Sequence, residues 1–327
     1  MPDIKILDCT LREGGYVNNH EFGLQNIKEI ITGLENSNID FIECGYLKKD
    51  ADYNPDKTIF KNLNNIQPLN KKNFIFMIDF GEYDIDLIPE NTNIFFRIAF
   101  KKHQCKDAIN YCRKLKDKGC KIFINPMHTM TYEEAELVKL IKDINEICPY
   151  GFTITDSTGS MKEKDLSRVL NIIKNNLAEN INLCFHSHNN LQLSFANAQY
   201  FIQNCSNRNI IIDSTLSGIG RGAGNLCTEI IALYLKNFCG NNYKINTILE
   251  TIDTYIKPIF DKNPWGYSIP YYLSGLYGCH PYYAKFLINK NVAYEKMDEI
   301  LKAIPDDKKS IYDENIIENS LRDVNFF

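Results

Sequence analysis

No stretch of this 327-residue chain approaches the run of about 18 apolar residues that a membrane-spanning helix requires. No Cys-x-x-Cys pair occurs among its 11 cysteines, an odd and scattered set. Those at Cys44, Cys120, Cys148 and Cys184 sit in or beside apolar runs, so the expected state is a buried, reduced thiol rather than a disulfide. A basic excess is missing too. The net charge of −4 gives no electrostatic reason to expect nucleic acid or an anionic membrane as a partner. The strand-like run Ile4-Lys5-Ile6-Leu7 leaves no room before it for a charged and apolar leader, so the chain is expected to be cytoplasmic.

What is present is an ordinary globular composition, 44% hydrophobic and 24% charged, over a length that suits one α/β barrel of about 250 residues plus an extension. Short apolar or β-branched runs alternate with longer segments of helical periodicity. The runs span Ile4–Asp8, Asp40–Cys44, Phe74–Asp79, Ile94–Phe100, Lys121–Asn125, Phe152–Thr155, Ile181–Phe185 and Ile210–Asp213. One helical stretch puts Leu24, Ile27, Ile31 and Leu34 on a face; another puts Leu226, Ile230 and Leu233 there. Eight such units imply a parallel sheet, and eight is the number that closes a (β/α)₈ TIM barrel. A doubly wound open sheet is the second choice. The barrel is expected over residues 1–240, with a mainly helical C-terminal extension over 241–327.

Ionisable and amide side chains collect at the ends of these runs: Arg12 and Glu13 after the first, then Glu43, Asp79, Asn125, Asp156, His186 with His188, and Asp213, while Arg97 lies on the fourth. Any one of them could be a solvated loop residue. In a barrel, however, the strand ends converge on one face, where the active site lies. The sharpest signal is Phe185-His186-Ser187-His188-Asn189-Asn190. Side chains at i and i+2 of a strand share a side, so both imidazoles can face one ion. With Glu13 brought alongside, the set suits a divalent metal with open positions for substrate. The alternative is a pair of hydrogen-bonded histidines at a strand end.

His20, His103, His128 and His280 each stand alone, as surface or satisfied core histidines usually do. The glycine-rich segment Ser214–Asn225 follows the eighth strand, where barrels commonly bind anions. Each glycine, taken alone, equally suits a tight turn.

Three segments together resemble the DRE-TIM metallolyase superfamily: Asp8-Cys9-Thr10-Leu11-Arg12-Glu13-Gly14-Gly15, His186-Ser187-His188-Asn189-Asn190 and Gly220-Arg221-Gly222-Ala223-Gly224-Asn225. The resemblance covers roughly residues 3 to 235 and is nearest the 4-hydroxy-2-oxo acid aldolases. It implies that Glu13, His186 and His188 ligate a divalent metal, Mn²⁺ or Mg²⁺ with Zn²⁺ or Co²⁺ as further options, with Asn225 close to it. It also implies that Arg12 stabilises an enolate oxygen, that Glu43 supports the site, and that Tyr277 is a substrate-pocket tyrosine. One position departs from the pattern. The aldolases carry a catalytic histidine three residues after the metal-ligating acid, and here that residue is Tyr16.

The implied substrates are a small oxo acid and an aldehyde, joined or separated through a pyruvate enolate. Two rivals remain: a Claisen-type acyl-CoA lyase or synthase on the same barrel, and a non-haem iron oxygenase, which uses the same two-histidine, one-carboxylate set. A metal-binding scaffold without turnover is a third. The tyrosine-rich stretch from Pro264 to Tyr283 either lines a pocket or packs an accessory helical unit. The segment from Ser310 would dock on another copy, giving a homo-oligomer, or on a dehydrogenase partner.

Overall fold

The structure, a computed structural model, describes residues 3–63, 73–205 and 207–323. Eight parallel strands close on themselves: β1 (Ile4–Asp8), β2 (Phe41–Leu47), β3 (Phe74–Asp79), β4 (Phe95–Phe100), β5 (Lys121–Pro126), β6 (Gly151–Asp156), β7 (Asn182–Ser187) and β8 (Ile210–Ser214). Closure runs through β1, which pairs with β8 from Ile4↔Ile210 to Asp8↔Ser214 and with β2 at Leu7↔Phe41 and Asp8↔Ile42. The fold is the TIM barrel expected from the alternation of apolar runs.

The outer helices are α1 (Leu24–Asn36), α2 (Cys105–Asp117), α3 (Glu134–Ile147), α4 (Glu163–Asn176), α5 (Ser194–Asn204) and α6 (Thr228–Cys239). The crossovers on either side of β3 differ. Among the described residues, the one before it carries only a two-residue strand, Ile59–Phe60, paired with the end of β2, and a 3₁₀ turn at Ile85–Leu87 stands in the one after. Two helical faces depart from expectation. In α1 the buried positions are Ile27, Ile30 and Leu34, while Leu24 is 41% exposed. In α6 the buried face is Thr228, Ile231, Ala232 and Leu235, and Ile230 and Leu233 point outward. Leu226 lies before the helix begins, so counting from it set the phase wrongly.

Inside the barrel, the two-residue strand period stacks the side chains in layers. Leu7, Phe41, Ile75, Phe95, Phe123, Cys184 and Ile211 form an apolar floor, with Tyr150 packed against it. Two residues further along the same strands come Cys9, Glu43, Met77, Arg97, Asn125, His186 and Asp213. The floor is therefore greasy and the layer above it largely polar. A bulge in β2 between Glu43 and Gly45 adjusts this register, and only glycine suits it: φ is +143° at Gly45, and a Cβ there would lie 2.1 Å from the Thr58 carbonyl oxygen.

Beyond α6, Tyr243, Ile248 and Ile256 still pack into the barrel's main core. A second core begins with Leu273 and gathers Cys279, Tyr283, Leu287, Met297, Ile300, Leu301 and Ile317. These come from α7 (Ile269–Leu276), α8 (Pro281–Asn289), α9 (Tyr294–Ala303) and α10 (Glu314–Asp323) and the segments between them. The C-terminal part is thus helical, as expected. None of the 11 cysteines forms a disulfide. No helix among the described residues is long and apolar enough to cross a membrane.

Candidate metal centre and active site

The chain leaves β1 through a short helical turn, Thr10–Glu13, that aims Arg12 and Glu13 over the barrel mouth. Asp8 fixes that turn by accepting the Thr10 N–H at 2.9 Å and the Thr228 hydroxyl at 2.6 Å. Burial raises its carboxyl to about 6 in spite of these bonds.

Glu13 lies between the two histidines, with its oxygens 3.5 Å from His186 Nε2 and 3.7 Å from His188 Nε2. Those separations are too long for hydrogen bonds. Each ring is turned by its other nitrogen. His186 Nδ1 meets Asp213 Oδ2 at 2.9 Å, and His188 Nδ1 meets the Asp156 carbonyl oxygen at 2.9 Å. A carbonyl can only accept, so His188 carries its proton on Nδ1 and presents a bare Nε2; the carboxylate imposes the same tautomer on His186. Burial holds both rings neutral, the form that binds a cation.

Three buried atoms here lack a hydrogen-bond partner among the described residues: Glu13 Oε2, His188 Nε2 and Asn225 Oδ1. The ligand atoms of Glu13, His186 and His188 all lie within 4.8 Å of one another. Asn225 donates its Nδ2 to the Ile219 carbonyl at 3.1 Å and reaches the site because residue 220 is glycine. A Cβ at Gly220 would lie 2.1 Å from Asn225 Nδ2 and 3.5 Å from Glu13 Oε2. Orphaned lone pairs, neutral imidazoles and one carboxylate fit a divalent cation. Cys9, His186 and Asp213 also cluster, but Asp213 is already engaged by His186 and Arg97.

Behind the ligands runs a chain of alternating carboxylates and guanidinium groups that ends on His186. Arg12 contacts Glu13 and gives Nε to Glu43 at 2.7 Å. Glu43 also faces Arg97 Nε at 3.4 Å. Arg97 holds both oxygens of Asp213, at 2.5 and 3.0 Å, and Asp213 returns to His186. Burial would raise the Asp213 carboxyl, but Arg97 and His186 outweigh it and keep it down at about 2. From the sequence, Arg97 stood out only as a charge on the fourth strand and Asp213 as one at the end of the eighth; the inward period of β4 and β8 was the available signal for more.

A cavity of about 320 Å³ opens above the ligands and includes Arg12, Glu13, Tyr16, His186 and His188 in its wall. Tyr16 and Tyr46 place their hydroxyls 2.5 Å apart, and burial raises both phenols. Further wall residues are Asp79, Lys101, His128, Arg221, His280 and Tyr282. Tyr277 is not brought here. Its hydroxyl donates to Asp298 at 2.7 Å and its ring packs on the second core, whereas Tyr282, in the first turn of the next helix, lies in the cavity wall. The segment Ser310–Tyr312 also reaches the cavity wall.

The chain is similar to several known proteins in sequence and in fold. The chain is 27% identical over 248 residues to a 4-hydroxy-2-oxovalerate aldolase of Pelotomaculum thermopropionicum, an alignment spanning 72% of this chain and 71% of that one. It is 23% identical to an oxaloacetate decarboxylase of Mycobacterium tuberculosis over 71% and 69% of the two chains. Among solved structures, the N-terminal domain of a Bacteroides vulgatus protein, described provisionally as an aldolase, superposes with a TM-score of 0.73 at 27% identity, over 87% of this chain and 96% of that one. The HMG-CoA lyase of Bacillus subtilis gives 0.63 at 13% identity, over 82% and 97%, a likeness of fold. The HMGL-like family model matches residues 3–254, which contain every proposed metal ligand, and the chain belongs to that family, within the DRE-TIM metallolyases.

Proposed function

We propose that this protein is a divalent-metal-dependent aldolase that makes or cleaves a carbon–carbon bond of a 4-hydroxy-2-oxo acid through a pyruvate enolate. The observation that carries the reading is the convergence of Glu13, His186 and His188 with Arg12 beside them at the cavity floor. Glu13, His186 and His188 would hold manganese or magnesium, with Asn225 Oδ1 alongside. When bound, the ion supplies Lewis-acid polarisation of the oxo acid's keto oxygen.

The chain's own groups do the rest. Arg12 offers a fixed cation to the developing enolate oxygen. Glu43 and Glu13 lock its guanidinium in place, so no reorganisation is needed as charge develops. Tyr16 is a neutral phenol at physiological pH and serves to position or protonate rather than to deprotonate. The proton of the C4 hydroxyl then goes to Asp79. Burial raises this carboxyl toward the useful range, and it has no hydrogen-bond or ion-pair partner among the described residues.

The test is cleavage of a panel of 4-hydroxy-2-oxo acids by the metal-loaded protein, with pyruvate release as readout. Release that depends on metal and falls in Arg12→Gln supports the reading; release from none of the panel counts against it. Tyr16 also favours a second reading, decarboxylation of a 3-carboxy-2-oxo acid through the same enolate, because loss of carbon dioxide needs no base on a C4 hydroxyl. Consumption of oxaloacetate without cleavage of any panel member would select it.

A further inference from the structure

Two cations face the cavity without a carboxylate of their own. Among the described residues, neither Lys101 nor Arg221 forms an ion pair. The Arg221 guanidinium is held by two rings instead, 5.1 Å from the centroid of Tyr16 and 5.7 Å from that of Tyr282. Its Nε is buried and lacks a hydrogen-bond partner. Of the other charges in the wall, the cation Arg12 is already paired and the carboxylate Asp79, which forms no ion pair among the described residues, answers first to other cations. Arg12 belongs to Glu13 and Glu43, and Asp79 feels Lys48 and Arg12 more strongly than Arg221.

Arg221 arises from the loop after β8 and Lys101 from the end of β4, on opposite sides of the mouth. Both still act on His128 and His280, which burial, then Arg221, and also Lys101 hold neutral. Positive potential therefore reaches the same two histidines from both sides of the cavity. Arg221 is half-buried, and a guanidinium fixed by aromatic rings with its buried Nε unpartnered is arranged for an incoming anion.

We infer that the acceptor is an aldehyde whose far end carries an anionic group, a carboxylate or a phosphate, held by Arg221 and Lys101. The inference rests on the aldolase reading and gives the substrate class of the same site. A cavity of about 320 Å³ has room for pyruvate and an acceptor of a few carbons together. A short neutral aldehyde would leave both cations without a partner.

The test uses the full metal-loaded protein and four unreactive probes in calorimetry: glycerol 3-phosphate against glycerol, and 4-hydroxybutyrate against butane-1,4-diol. At least one charged probe should bind roughly ten- to a hundredfold tighter than its neutral twin, the range for hydrogen bonds to a charged group. Comparing the two charged probes distinguishes phosphate from carboxylate. Arg221→Gln should bring the charged-to-neutral ratio toward one, Arg221→Lys should retain part of it, and Lys101→Met should lower it independently. Equal binding of charged and neutral twins overturns the inference. So does an Arg221→Gln protein that loses pyruvate affinity while the ratio stands, because Arg221 would then serve the oxo acid. A charge preference in a protein that cleaves no 4-hydroxy-2-oxo acid would sink the aldolase reading and leave the anion site standing.

Discussion

Asp213 accepts a hydrogen bond from Nδ1–H of His186 at 2.9 Å while Arg97 grips its two oxygens, so one buried carboxylate joins a metal-ligand candidate to the charge circuit inside the barrel. That relationship sets His186's tautomer and ties the site's shape to the stability of the core. Asp213→Asn should weaken divalent-metal binding about 10- to 100-fold, as loss of a ligand's hydrogen-bonding partner does. It should also destabilise the fold by about 3–5 kcal/mol, since Arg97 loses its buried counter-charge. Metal titration and denaturant melts of the metal-free protein separate the two effects. A variant with unchanged metal affinity would remove Asp213 from the site.

His186→Ala with His188→Ala should abolish stoichiometric metal. The native protein is expected to carry one divalent ion per chain, removable by chelation and restored by addition. Elemental analysis decides this, and an ion retained in the double variant would remove Glu13, His186 and His188 as its ligands.

Tyr16→Phe keeps the ring under Arg221 but removes the hydroxyl shared with Tyr46. Turnover should fall by about a hundredfold, within the range of general acid–base contributions. A rate equal to that of the unaltered protein would mean the phenol has no chemical role.

His128 gives a pH signature. Burial first, then Arg221, lowers its pKa from 6.5 to about 4, so the folded chain refuses a proton that the unfolded chain accepts. Its contribution to stability is fully present above about 6.5, is lost as pH falls toward 4, and levels off below that. Denaturant unfolding across this window should show His128→Gln losing less stability than the native sequence. The difference approaches about 3 kcal/mol at most, at roughly 1.4 kcal/mol per pKa unit. Parallel profiles would contradict the assignment.

The barrel was legible because its strands are short apolar runs whose ends carry the ionisable residues, and all eight runs are strands. The ligand set was legible for the same reason: His186 and His188 are two residues apart along one strand end. The inner circuit was only half visible. The sequence shows Arg97 and Asp213 as charges, but it does not show that β4 and β8 place them opposite each other. Tyr46 escaped notice because β2 continues past Cys44 through a bulge at Gly45. Tyr277 and Tyr282 are five residues apart in a tyrosine-rich stretch, and only the packing of α7 and α8 decides which one reaches the cavity. Arg221 was visible within a glycine-rich loop, but its lack of a carboxylate partner is a fact of tertiary structure.

The most direct test of the account is exchange of pyruvate's methyl protons with solvent, followed by proton NMR in deuterated buffer with metal-loaded protein and no aldehyde. Enolisation is the half-reaction shared by cleavage and addition, and it needs the chelated oxo acid, the Arg12 cation and a proton acceptor. The account predicts metal-dependent exchange that slows roughly a hundred- to a thousandfold in Arg12→Gln, the cost of losing one oxyanion stabiliser. No exchange, together with no cleavage of any 4-hydroxy-2-oxo acid and turnover of an acyl-CoA thioester, would contradict it.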